Sequence, residues 1–178
     1  MAMGLNLSFT EGAPNLQPKE IAITDLAPIV RAGPWGGCEL VVRRWSWPGA
    51  GGKPVYNFRS DGREFASGRC LIVTDGFYEF TKPHDPKQKR KDKSLFTVPD
   101  ESLVVIADLF RAVPTIGEAF TMLTTEPGPD VAPFHNRQVA VLPSSALRRW
   151  FDYSAPASEL IRPLPRGSLS VQAANRTA

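Results

Sequence analysis

Proline and glycine punctuate this chain more heavily than any other residues constrain it. Seventeen prolines and 14 glycines among 178 residues amount to about one position in six, against an ordinary share of about one in eight. Proline lacks the amide hydrogen a helix interior needs and glycine is costly to order, so a helical bundle or coiled coil is excluded. The expectation from composition is short strands and turns with few long helices. Hydrophobic residues at 42% and charged residues at 22% suit a globular core rather than a disordered chain, and the length suits one domain.

Twenty-one Lys and Arg against 18 Asp and Glu leave a net charge of +3. That is too small for a protein that coats nucleic acid, so a polyanionic partner would be held by a local patch. Cys38 and Cys70 are far apart, and with His84 and His135 as the only histidines no zinc motif can be written. No metal and no cofactor are expected. Two separated cysteines fit a reducing, cytoplasmic setting. Met1 to Phe9 lack the basic flank and apolar run of a signal peptide. The apolar stretch from Leu103 to Phe110 is interrupted by Asp108 and too short to cross a bilayer. A monomer without membrane attachment is expected.

Leu5, Leu7 and Phe9 alternate as a short strand would in a terminal arm over residues 1–19. Ile21 to Arg31 and Cys38 to Trp47 are predicted strands separated by an Ala32 to Gly37 turn. Trp45 and Trp47 are expected on one core-facing side. The Pro48 to Pro54 loop resembles a phosphate loop only superficially, because Trp47 stands where its first glycine belongs and Pro54 where Ser or Thr belongs. Further strands are predicted over Val55 to Ser60, Arg69 to Phe80 with a turn at Asp75-Gly76, Leu95 to Val98, Leu103 to Phe110, Ala119 to Thr125 and Val139 to Leu142. Thr81 to Ser94 carries six basic residues and reads as an exposed loop. Pro143-Ser144-Ser145 is expected to cap a helix through Phe151. The tail over 155–178 is polar and proline-scattered.

Few side chains here suggest chemistry. Glu79 lies between Tyr78 and Phe80; on a solvent face it is inert, whereas burial would raise its pKa and fit it for proton transfer. His135 sits in a proline-rich loop where a surface histidine is the plain reading. Asn57 and Arg59 lie in the run NFRSD, where Asn57 could equally be a strand-end residue. The lysine run is ordinarily a solvated loop.

Four segments in order carry a resemblance: Asn57-Phe58-Arg59-Ser60-Asp61; Arg69 to Phe80, RCLIVTDGFYEF; Met122-Leu123-Thr124-Thr125; and His135-Asn136-Arg137 followed by Val139 to Pro143. Together they resemble the SOS-response-associated peptidase (SRAP) family, most closely over residues 20–152. The resemblance implies an α+β fold, one β-rich domain over residues 1–178 with an antiparallel, partly barrel-like sheet and a few short helices, and a concave positive surface that holds single-stranded DNA at abasic sites. In typical members the initiator Met is removed and the residue that follows it, a cysteine, traps the sugar aldehyde through its amine and thiol. Carried over, Asn57 would bond the N-terminal residue or adduct, and Glu79 would shuttle protons. His135 would assist at the sugar, and Arg59 would contact a phosphate, with Phe80 and Arg137 also facing DNA.

This chain departs from that pattern in ways that matter. Ala2 stands where the crosslinking cysteine belongs, and no cysteine precedes Cys38. The N-terminal part and the segment between Asn57 and Cys70 are shorter, the Pro48 to Pro54 loop lacks bulky aromatics, and Asn136 replaces an Asp. Two readings stay open. In one, the amine of Ala2, freed of Met1, forms a reversible imine with an abasic site, or self-processing chemistry survives. In the other, the chain is a catalytically inactive single-stranded-DNA-binding module. Literal peptidase activity carries less weight, because no Ser or Cys triad can be written.

Overall fold

The computed structural model describes residues 5–15, 17–85 and 87–174. In chain order the strands are β1 (Leu7–Ser8), β2 (Leu26–Ala32), β3 (Cys38–Trp45), β4 (Trp47–Pro48), β5 (Pro54–Val55), β6 (Asn57–Arg59) and β7 (Arg69–Thr74). They continue with β8 (Phe77–Thr81), β9 (Asp92–Thr97), β10 (Val104–Val113), β11 (Gly117–Thr125), β12 (Gln138–Val139) and β13 (Ser170–Ala173). Two short α-helices, α1 (Leu147–Phe151) and α2 (Ala157–Leu160), and 3-10 turns at Ala50–Gly52 and Ser144–Ala146 complete the described elements.

β3, β2, β7, β10 and β11 pair in that order, and β11 pairs back onto β3, closing a five-stranded barrel. Neighbours along this path are antiparallel, but the closing β3–β11 contact is parallel, as are β1–β3 and β6–β11. The sheet is therefore mixed where the sequence suggested antiparallel pairing. Closure removes the open edges that a sheet of this width would otherwise expose.

Strand alternation builds two cores from the same strands in turn. Ala27, Ile29, Val41, Cys70 and Phe120 are buried together, with Phe110 packed against them, so all five barrel strands contribute to one interior. Their neighbours Val30, Leu71, Ala107 and Leu123 face outward onto Leu147, Trp150, Leu160 and Ile161. A second sheet, β13-β9-β8, lies on the barrel through Phe77, Phe96, Val104, Ile106 and Leu169.

Several expectations are corrected. Residues 21–25 carry a turn at Ile23-Thr24 ahead of β2 rather than the start of a strand. Ser46 has φ +84°, so the alternation between Trp45 and Trp47 breaks there. Ser144 and Ser145 lie within a single 3-10 turn, Ser144–Ala146, and neither caps a helix with its side chain. Beyond β12, the apolar run from Val139 continues as a lone bridge at Val141 rather than a longer strand. The tail is not merely polar: Ala155, Ala157, Leu160, Ile161 and Leu169 are buried.

Candidate functional site

Glu79 lies on β8, between register partners that place it opposite Ser94 of β9. Its side chain is 14% exposed, and burial raises its pKa, opposed in part by the charge of His135. The half-buried outcome selects the chemically useful alternative for this residue: a carboxyl held protonated to higher pH than an exposed one.

The loop after Gly128 brings His135 to it. Val131 is fully buried and anchors this loop, its carbonyl accepting the Phe134 and His135 amides at 2.8 and 3.0 Å. Phe134 meets Phe96 edge to face at 5.2 Å, and Phe96 in turn stacks on Phe77. That aromatic chain docks the loop on the β8–β9 sheet, leaving His135 Nδ1 4.0 Å from Glu79 Oε2. The same Nδ1 lies 2.9 Å from the Arg137 carbonyl and 3.1 Å from the Arg137 amide. A protonated Nδ1 donates to the carbonyl and a bare one accepts from the amide, so one atom is partnered in both states.

Arg137 continues the chain of contacts. Its guanidinium donates to Asp61 Oδ2 at 2.5 Å and to the Thr124 carbonyl at 2.8 Å. Asp61 is held below the usual carboxylate range, first by that hydrogen bond. Thr124 is also the register partner of Arg59, as Met122 is of Asn57. Glu79, His135, Arg137, Asp61 and β6 thus form one connected network. Asn57 and Arg59 are exposed on β6, and Phe80 is 47% exposed on β8. Lys93 lies 3.7 Å from the Tyr78 ring centre and 6.0 Å from that of Phe80. Arg137, expected to face DNA, engages Asp61 and Thr124 through one guanidinium nitrogen. Asp61 received no role from sequence, since its partner Arg137 lies 76 positions away.

The thiol chemistry has no candidate nearby. Cys38 and Cys70 are buried and free, and burial raises both thiols above their ordinary pKa. Ala2 lies outside the described residues. The described arm runs beside the start of β3: Leu7 pairs with Cys38, and the Cys38 amide donates to the Asn6 carbonyl at 3.0 Å. Asn57 pairs with Met122, beyond the Arg44–Ala119 pair where β3 meets β11. β1, β3, β11 and β6 run in the same direction, so the two registers are separated by about 30 Å of strand path at about 3.3 Å per residue. Among the described residues no three His, Cys, Asp or Glu side chains gather as metal ligands, and no helix is long and apolar enough to cross a membrane.

A family model described as SOS response associated peptidase (SRAP) matches residues 54–177. The chain belongs to the SRAP family. The match includes Asn57, Arg59, Asp61, Glu79, His135 and Arg137, and it extends through the tail. Among solved structures, a Bordetella bronchiseptica protein is 21% identical, with a TM-score of 0.69 over 94% of this chain and 93% of that one. A phage-related protein from the same organism is 20% identical, with a TM-score of 0.69 over 92% and 86% of the two chains. A Bacteroides thetaiotaomicron protein is 16% identical, with a TM-score of 0.65 over 84% and 74%. These likenesses show that the SRAP chain shares its fold with all three. No curated protein matches the sequence.

Proposed function

We propose that this SRAP protein recognises abasic sites in single-stranded DNA, in the DNA-damage setting its family name denotes, and applies acid–base chemistry to the opened sugar. The observation that carries the reading is the Glu79–His135 pair, a protonatable carboxyl and an imidazole 4.0 Å apart and linked through Arg137 to the strand bearing Asn57 and Arg59. A surface that only bound a polyanion would gain nothing from a carboxyl group. One poised to gain or lose a proton can protonate a leaving oxygen or take a proton beside an aldehyde. Arg59 suits phosphate and Asn57 suits a sugar or adduct. Two buried free thiols support a reducing, cytosolic setting.

A second reading, a binding module without covalent chemistry, is favoured by the register of the arm beside Cys38. Sodium borohydride separates the two, because only an imine between a protein amine and the sugar aldehyde is reduced to a permanent adduct. On abasic single-stranded DNA, the first reading expects strand scission that Glu79→Gln suppresses; a trapped adduct would add the amine of Ala2 to the mechanism. Salt-sensitive binding with neither scission nor adduct would leave the binding module.

A further inference from the structure

The segment between β6 and β7 builds a second cleft. Trp47, Phe58, Phe65 and Phe110 supply its aromatic lining, and Arg63 and Arg111 flank it around a cavity of about 440 Å³. Gly68 makes the close wall possible: its φ is +74°, and an added Cβ would lie 2.4 Å from the Phe110 carbonyl oxygen. The Phe110 amide donates to the Gly68 carbonyl at 2.8 Å, clamping the segment to β10.

Both arginines are exposed, yet each is held over a ring. The Arg111 guanidinium carbon lies 4.1 Å from the Trp47 ring centre, and that of Arg63 lies 4.9 Å from the centre of Phe58. Neither has a carboxylate partner among the described residues, whereas Arg31, Arg43, Arg137 and Arg149 all do. Glu64 also lines the cleft, but its carboxylate is held by the Ala157 and Ser158 amides and the Ser158 hydroxyl, and its charge is paired with the Arg69 guanidinium at 3.8 Å. The cleft therefore combines π faces with two uncompensated cations.

The geometry points to a nucleotide site: we infer that this cleft binds a nucleobase together with its phosphate, the base stacking on the arginine-capped aromatic wall and the phosphate meeting Arg63 or Arg111. A guanidinium plane or an aromatic ring accepts any base, so recognition is sequence-tolerant. The site is distinct from the Glu79–His135 network and does not depend on abasic-site chemistry. The ligand reaches it either as one residue of a DNA strand or as a free nucleotide.

The test is fluorescence-monitored titration of the full chain with an undamaged ten-residue oligothymidylate and, separately, with thymidine 5′-monophosphate. Undamaged DNA keeps the outcome separate from the abasic-site reading. For the oligonucleotide, Arg63→Ala with Arg111→Ala is expected to weaken binding about tenfold or more, and the Lys pair to recover only part of it. Circular dichroism confirms the fold of each variant. Saturable binding of the mononucleotide, lost in the Ala pair, assigns a free-nucleotide site; oligonucleotide binding alone assigns a strand site. Oligonucleotide and mononucleotide binding unchanged in the Ala pair, or fully restored by the Lys pair, would overturn the stacked-nucleotide site.

Discussion

A carboxyl group in a surface proposed to hold DNA needs a reason, and burial beside His135 gives Glu79 one. Because its folded pKa is raised, any contribution it makes as an acid is lost as pH rises through that value. Glu79→Gln is expected to reduce scission of abasic single-stranded DNA about a hundredfold while binding of an intact strand stays the same, measured by gel and by anisotropy. Asp108 is buried in a different way: it is fully inaccessible, neither oxygen has a hydrogen bond of good geometry, and only the Ile72 amide eases the charge. Its pKa is pushed well up, first by desolvation. A raised carboxyl costs the fold nothing below the unfolded pKa of about 3.9 and progressively more as pH climbs above it. Asp108→Asn is therefore expected to raise stability near neutral pH, with the gain fading towards pH 4 in urea melts. The sequence makes Glu79 and His135 visible as candidates. It could not show that Arg137 is tied to Asp61, because that pairing spans 76 positions and rests on β6 lying beside β11.

Among the elements, the strands declared themselves through apolar runs between prolines and glycines, and β7, β8, β10 and β11 stand close to where the sequence puts them. Ends were less legible: positive φ at Thr24 and Ser46 is a local backbone choice that neither residue type announces. The tail misled for a related reason. Its apolar residues are spaced by prolines without a clear period, yet α2 buries Ala157 and Leu160 on the barrel, and Leu169, just ahead of β13 where it pairs with β9, packs into the second sheet's core. The docking is close enough that a Cβ on Gly128 would lie 2.2 Å from the Leu164 carbonyl oxygen. Gly128→Ala is expected to lower the melting temperature by several degrees, since backbone must move to admit the methyl group. Calorimetry showing no change would mean the tail is loosely held. The same loop carries His135, so the variant should also weaken scission.

On the scale of the whole molecule, barrel closure depends on parallel contacts between strands distant in sequence, which no local pattern encodes. A network of Arg31, Glu39, Arg43 and Glu118 joins β2, β3 and β11, and Glu11 of the arm joins it through Arg43. Net charge is only +3, so DNA affinity must come from local cations and not from the overall field. Single-strand binding is expected to weaken with salt, and Arg59→Ala to flatten the log–log slope by about 0.7, read by anisotropy across a salt series. The measurement that tests the central claim most directly is anisotropy of one single-stranded oligonucleotide, with and without a single abasic site. The account predicts tighter binding of the abasic strand, with the preference lost in His135→Ala and Glu79→Gln; equal affinity of the native protein for both strands would contradict it.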